Sequence, residues 1–214
     1  MGRERQDFFR ESNTIEKEKI FILAFEGNVT ESIYFTDFRN TVRFKEDLIY
    51  LHLLTRPKSD TNSAPNHVLK KLKTEARDEF NFNKNDELWM IIDTDNWDIA
   101  KIAAKCKQEG VFLAVSNPCF EFWLLLHLKD STEYSFEEQQ QILANKKVKP
   151  GKKNYIEHKL IEILGTYNKS KLKSALFLPT LNDAILRAKK LDNAKEDFPR
   201  QLGSHIYKLM DKLL

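Results

Sequence analysis

Ile92-Asp93-Thr94-Asp95-Asn96-Trp97 sets two carboxylates two residues apart. They follow an apolar run, Leu88-Trp89-Met90-Ile91-Ile92, that reads as a buried β-strand. A second apolar run, residues 20–25, ends the same way, in Glu26-Gly27. Open α/β sheets bind ligands outside the carboxyl ends of their strands. Alternate residues of a strand project to one side of the pleat, so one ion can bridge Asp93 and Asp95. Crowding like charges this way is unfavourable unless a cation is shared. Glu26 supplies a third oxygen or a general base. Such an all-oxygen set suits Mg²⁺, with Mn²⁺ as an alternative. The bound ion would grip a phosphoryl oxygen and lower the pKa of attacking water. The plainer reading makes Asp95 and Asn96 mere caps of the next helix.

Glu121 is a separate signal, early in the apolar stretch Pro118-Cys119-Phe120-Glu121-Phe122-Trp123-Leu124-Leu125-Leu126-His127. A buried carboxylate needs a partner. The candidates are the helix N-terminal dipole, a Lys or Arg, and the metal site. His127 lies six positions later on a different helical face, so the two need not form one site. His52, His67, His158 and His205 show no metal-ligand spacing along the chain. No Gly-rich phosphate loop and no Gly-x-Ser-x-Gly elbow occurs, so ATP hydrolysis and Ser-His-Asp chemistry lack support.

These residues must be positioned by elements that the hydrophobic pattern predicts. Residues 19–25, 47–54, 87–92 and 111–115 read as strands. Asn28-Val29-Thr30-Glu31 fits a capping box, and a helix follows to about residue 42, burying Ile33, Tyr34 and Phe38. After a polar loop at 56–64, another helix starts near Pro65, with Val68, Leu69, Leu72, Ala76 and Phe80 on one face. Residues 97–108 form a third, with Ile99, Ile102, Ala103 and Cys106 inward and Gly110 as its stop. Asn117-Pro118 opens a fourth; it is apolar on nearly every face through residue 128, as a buried helix is. Beyond residue 129 no strand is expected. Helices fit 137–145, 153–165, 170–177, 181–191 and 204–213, with Thr180 and Ser204 as caps of the last two. Strand-helix alternation predicts an α/β fold, a mainly parallel sheet flanked by helices over 19–128. Residues 129–214 form a helical C-terminal region packed on that core as a lid or small subdomain.

Composition bounds the function classes. The 214 residues are 41% apolar, with 15 Phe, enough for a sizeable core. No run approaches the ~20 apolar residues of a membrane span, and the charged residues 1–7 do not read as a signal peptide. Two cysteines, Cys106 and Cys119, are too few for a disulfide scaffold or a Cys-based zinc site. A cytoplasmic location is expected. The net charge of +3 does not declare a nucleic-acid binder, but its distribution is uneven. Residues 142–173 hold nine Lys against Glu157 and Glu162 alone. Lys146, Lys147, Lys152 and Lys153 could therefore lie against phosphates through counterion release. A solvated helical surface would look the same.

Taken in order, the motifs resemble one family. Phe25-Glu26-Gly27-Asn28-Val29-Thr30-Glu31-Ser32-Ile33-Tyr34-Phe35 is similar to the E-G-x-x-T-E-x-x-Y-F opening of RloB-like proteins. Ile92-Asp93-Thr94-Asp95 fits their D-x-D segment. Ser116-Asn117-Pro118-Cys119-Phe120-Glu121-Phe122-Trp123-Leu124-Leu125-Leu126-His127 resembles their S-N-P-x-F-E-x-W-L-L-L-H stretch. Tyr167-Asn168-Lys169 and residues 184–189 resemble weaker C-terminal features. The resemblance spans roughly residues 19–214; Asn28 stands where a charged residue is commoner. It implies a Toprim-like core, in which a strand-end Glu and a later Asp-x-Asp hold Mg²⁺ for phosphoryl transfer. Those roles fall to Glu26, Asp93 and Asp95, with Glu121 as a further catalytic candidate.

The expectation is a Mg²⁺-dependent nuclease acting on RNA or DNA in anti-phage defence. RNA is slightly favoured by fold-level analogy. An ATPase or another defence-system protein would be its partner; no membrane is involved. The rival is a non-catalytic nucleic-acid- or partner-binding subunit of a defence complex. The sequence names no trigger and no oligomeric state.

Overall fold

Buried side chains alternate along each central strand and feed two separate hydrophobic layers. Phe21, Leu23 and Phe25 face one layer, with Trp89 and Ile91. Ile22, Ala24, Leu88, Met90 and Ile92 face the other. A strand covered on both faces has no polar face, which is why these runs are continuously apolar. The computed structural model describes residues 18–27, 29–54, 64–80, 82–94, 97–148, 153–193 and 196–214.

Within these residues the element order is β1 (Lys19–Phe25), α1 (Thr30–Arg39), β2 (Ile49–Leu54), α2 (Pro65–Glu79), β3 (Glu87–Asp93), α3 (Ile99–Gln108), β4 (Val111–Asn117), α4 (Phe120–Leu128), α5 (Phe136–Ala144), α6 (Tyr155–Leu164), α7 (Leu181–Leu191), β5 (Gly203–Ser204) and α8 (Ile206–Leu213). The sheet runs β2-β1-β3-β4-β5. Its first four strands are parallel, and β5 pairs antiparallel with β4 through Ser116↔Ser204 and Asn117↔Gly203. α2 and α3 cover one face, burying Val68, Leu69, Leu72, Ile99, Ile102 and Cys106. α1, α4 and the C-terminal helices cover the other, with Tyr34, Phe35, Trp123, Leu160, Leu181 and Leu209 in its core. The molecule is thus a mixed α/β fold with a mostly parallel sheet and a helical C-terminal region. Among the described residues no helix is long and apolar enough to cross a membrane.

Several local expectations are corrected. α1 has Val29 at its N-cap, whose side chain makes no cap bond; the expected capping box turns on Asn28, which lies outside the described residues. α3 is capped by Asp98, whose side chain accepts from the Lys101 N–H at 3.2 Å. α4 begins at Phe120, two residues after Pro118, with Cys119 as its N-cap. Residues 170–177 are not one helix. They form 3₁₀ turns at Lys169–Lys171 and Ser174–Leu176, between which Leu172 turns inward. The Thr180 side chain makes no cap bond, and α8 starts after His205 rather than at Ser204. β5 was not expected; two residues are too short to leave a periodicity.

Candidate functional site

β1 connects outward to β2 on one side, whereas β3 lies on its other side and continues to β4. The carboxyl ends of β1 and β3 therefore flank the topological switch point, where a crevice opens between diverging connections. Glu26 follows β1 and Asp93 ends β3, so both acids fall there. The Glu26 N–H continues the ladder by donating to the Ile91 carbonyl at 3.0 Å. Its carboxylate accepts from the Asp93 N–H at 3.1 Å and from the Trp97 indole N–H at 2.7 Å. Glu26 thereby ties β3 to the segment leading into α3. Asp95 lies outside the described residues. Thr94, beside it, donates its N–H to the Ser116 carbonyl at 3.2 Å and its hydroxyl to Asn117 Oδ1 at 3.0 Å. The chain is thus pinned to the end of β4 where it leaves β3.

Glu121 sits in the first turn of α4 and is 4% exposed. Its Oε1 accepts from the Tyr167 hydroxyl at 3.2 Å and pairs with the Lys169 ammonium at 3.1 Å. The same ammonium lies 3.1 Å from Glu157 Oε1 on α6. Burial works against the charged Lys169, but Glu121 and Glu157 outweigh it and hold its pKa above the ordinary lysine value. Burial and Glu121 also push the Tyr167 phenol far above its usual range. Glu121 is thus a buried, partnered carboxylate facing the C-terminal region.

Glu31, in the first turn of α1, is also buried. Its carboxylate lies over Gly27, so a Cβ at position 27 would fall on it. Burial, reinforced by Glu121 and Glu26 and opposed by a backbone N–H and Lys169, raises its pKa to about 7. Burial, then Glu121 and Asp93, hold the Cys119 thiol well above its usual pKa. A neutral thiol is a poor nucleophile, so Cys119 packs rather than reacts. These shared fields join the strand-end acids to the Glu121–Lys169 group in one acidic region. Among the described residues, its acids do not bring three ligand atoms within 4.8 Å of one another. Its donors are nonetheless all carboxylate oxygens, which suit a hard cation, and they already hold one positive charge in Lys169.

His127 is set apart from this region. Its Nδ1 donates to the Phe177 carbonyl at 2.7 Å, leaving Nε2 to accept from the Tyr34 hydroxyl at 3.0 Å. Burial pushes its pKa down to about 3, so it stays neutral and structural.

Lys146 and Lys147 are exposed beside an antiparallel bridge that joins Lys147 to Asn154. Lys153 turns the other way and donates to the Tyr167 carbonyl at 3.0 Å. Lys152 lies outside the described residues. Sequence reading missed Glu31, Glu157 and Lys169 as site residues. The signal for Glu31 was present as an acid five residues after Glu26. Lys169 and Glu121 are too distant in sequence for spacing to link them.

A family model described as RloB-like protein matches residues 21–213. No curated protein and no solved structure matches the chain.

Proposed function

The chain belongs to the RloB-like family, and from that premise we propose that it is a Mg²⁺-dependent nuclease that hydrolyses phosphodiester bonds in anti-phage defence, with RNA favoured over DNA. The observation that carries this reading is the placement of Glu26 and Asp93 at adjoining strand ends of the switch point. Asp95 would complete the oxygen set in a Toprim-like arrangement. The cation supplies a Lewis acid for a phosphoryl oxygen and for attacking water. Glu26 holds the segment after β3 in place through Asp93 and Trp97. Glu31, with its pKa near 7, is suited to holding a proton on its carboxyl for the leaving oxygen. Lys169 pairs with Glu121 and Glu157 and places a positive charge beside the acids. Exposed Lys146 and Lys147, together with Lys152, would guide the phosphate backbone.

One observation favours the rival reading of a non-catalytic binding subunit. Glu121 and Glu157 already share the Lys169 ammonium, so part of the acidic region has a cation of its own without a metal. The test is incubation of the purified protein with total RNA and with plasmid DNA, in Mg²⁺, Mn²⁺ or EDTA. Cleavage should require the metal and vanish in Asp93→Asn without a fall in melting temperature, since one of several clustered negative charges is removed. Metal-independent binding without cleavage would favour the rival. Full activity in the Asp93→Asn, Asp95→Asn double variant would sink the nuclease mechanism.

A further inference from the structure

A second constellation lies on the α2 side of the sheet, away from the switch point. His52 on β2 meets Glu75 and Glu79 on α2, and one ligand atom from each lies within 4.8 Å of the other two. Among the described residues it is the one group of three His, Cys, Asp or Glu ligands so close. His52 pairs with Ile22, four residues before Glu26, which is roughly 13 Å back along the strand direction. The two places therefore do not share ligands.

The arrangement has features that a chance cluster of surface acids lacks. Its nitrogen comes from a strand and its oxygens from a helix. The imidazole is oriented by Phe80, whose ring meets it edge-on at 4.9 Å between centroids. Phe80 also packs against Tyr50 of the same strand, at 6.2 Å. His52 Nε2 is thus aimed at the helix and donates to Glu75 Oε1 at 3.1 Å. Glu75 and Glu79 are four apart on α2 and project to the same side. Like charges at that spacing destabilise a helix, and a shared cation removes the penalty. His52 and Glu75 are half-buried while Glu79 is exposed, so the place is open to solvent on one side. Ligand atoms on a single tetrahedral ion stand roughly 3–3.5 Å apart. Glu79, the exposed member of the three, is the one that would have to close that spacing.

We propose that His52, Glu75 and Glu79 form a site for a divalent transition metal, with water completing its coordination. One imidazole and two carboxylates select for Zn²⁺ and its first-row neighbours over Mg²⁺, which takes oxygen ligands. On binding, the His52 ring changes tautomer: the Nε2 proton passes to water and Nδ1 takes one from water, so that the imidazole stays neutral and gives its Nε2 lone pair to the ion. The ion would clip the edge strand β2 to α2. This inference does not rest on the nuclease reading.

The test is a Zn²⁺ titration of the full chain followed through the imidazole ¹⁵N signals of its five histidines, the His52 signals being assigned with His52→Asn. The His52 Nε2 signal should move with a stoichiometry of one ion. Glu79→Gln should weaken the apparent affinity by roughly tenfold or more, the floor set by outer-shell changes at metal sites. Because Glu79 is exposed, that variant keeps its fold. The same shift should persist in Glu26→Gln, Asp93→Asn protein, which separates this site from the switch point. His52 signals that stay still in excess Zn²⁺, or that move equally in the Glu79→Gln protein, would overturn the proposal and leave an ion pair only.

Discussion

Glu31 is a carboxyl whose charge state the fold controls. Its carboxyl is raised from the ordinary 4.5 to about 7, first by burial and then by Glu121 and Glu26. A raised carboxyl means that the folded protein binds more protons than the unfolded chain between those two values. Stability from this group is therefore full below about pH 4.5 and is lost as pH rises through about 7. The metal-free Glu31→Gln variant should accordingly be more stable than the parent at pH 8. The difference should shrink steadily and vanish towards pH 4.5. Urea denaturation across that range checks it; a constant difference would show that Glu31 does not titrate as described. His127 acts with the opposite sign. Its pKa falls from 6.5 to about 3, so its contribution is present above 6.5 and is lost as pH falls through about 3.

At the scale of elements, Lys169 and the turns around it matter more than their length suggests. The Lys169 carbonyl accepts from the Thr30 hydroxyl at 3.3 Å, so a short 3₁₀ turn touches the start of α1 while its side chain reaches α4 and α6. Replacing Lys169 with Met strands two buried carboxylates. Breaking a buried pair costs about 3–5 kcal/mol, discounted towards about 2 because the Lys169 side chain is 44% exposed. Glu121→Gln keeps a group that can accept from Tyr167 and leaves Lys169 on Glu157, so about 1–2 kcal/mol is expected. Thermal denaturation should rank the Met variant below the Gln variant, and the reverse order would show that Lys169 is not the hub. The sequence made some of this legible. The strand ends at Glu26 and Asp93 were readable because two continuous apolar runs, residues 20–25 and 88–92, stop at them. Glu121 was conspicuous because it interrupts an apolar helix. What failed was local competition: Asp98 caps α3 in place of Asp95 or Asn96. The partnerships of Lys169 with Glu121 and of His52 with Glu75 were invisible because each joins different elements, where one-dimensional spacing carries no signal.

Across the whole molecule, the basic segment divides by what its lysines already do. Lys146 and Lys147 are exposed, whereas Lys153 supports the Tyr167 backbone. Changing Lys146 and Lys147 to Gln should weaken nucleic-acid binding and lower its salt slope by roughly one for each lost phosphate contact. Turnover at saturating substrate should hold. Lys153→Gln should instead perturb Tyr167 and, through it, Glu121. Binding isotherms over a range of salt distinguish the two, and an unchanged slope in the double variant would make the segment a solvated surface.

β5 is only two residues long, yet it closes the sheet beside the residues that follow β3. Its neighbour His205 donates its N–H to the Val115 carbonyl at 2.8 Å, and Asn117 donates to the Pro199 carbonyl at 3.1 Å. The free edge of β4 is thus sealed by a segment made nearly ninety residues later. During synthesis that edge stays open while α4 still lacks α7 and Glu121 still lacks Lys169. A growing chain therefore carries a strand edge able to pair with another chain and an acidic region with no neutralising lysine. The lysine comes at position 169 and the covering strand at Gly203–Ser204, so the site is completed later in the chain than the strands that bear its acids.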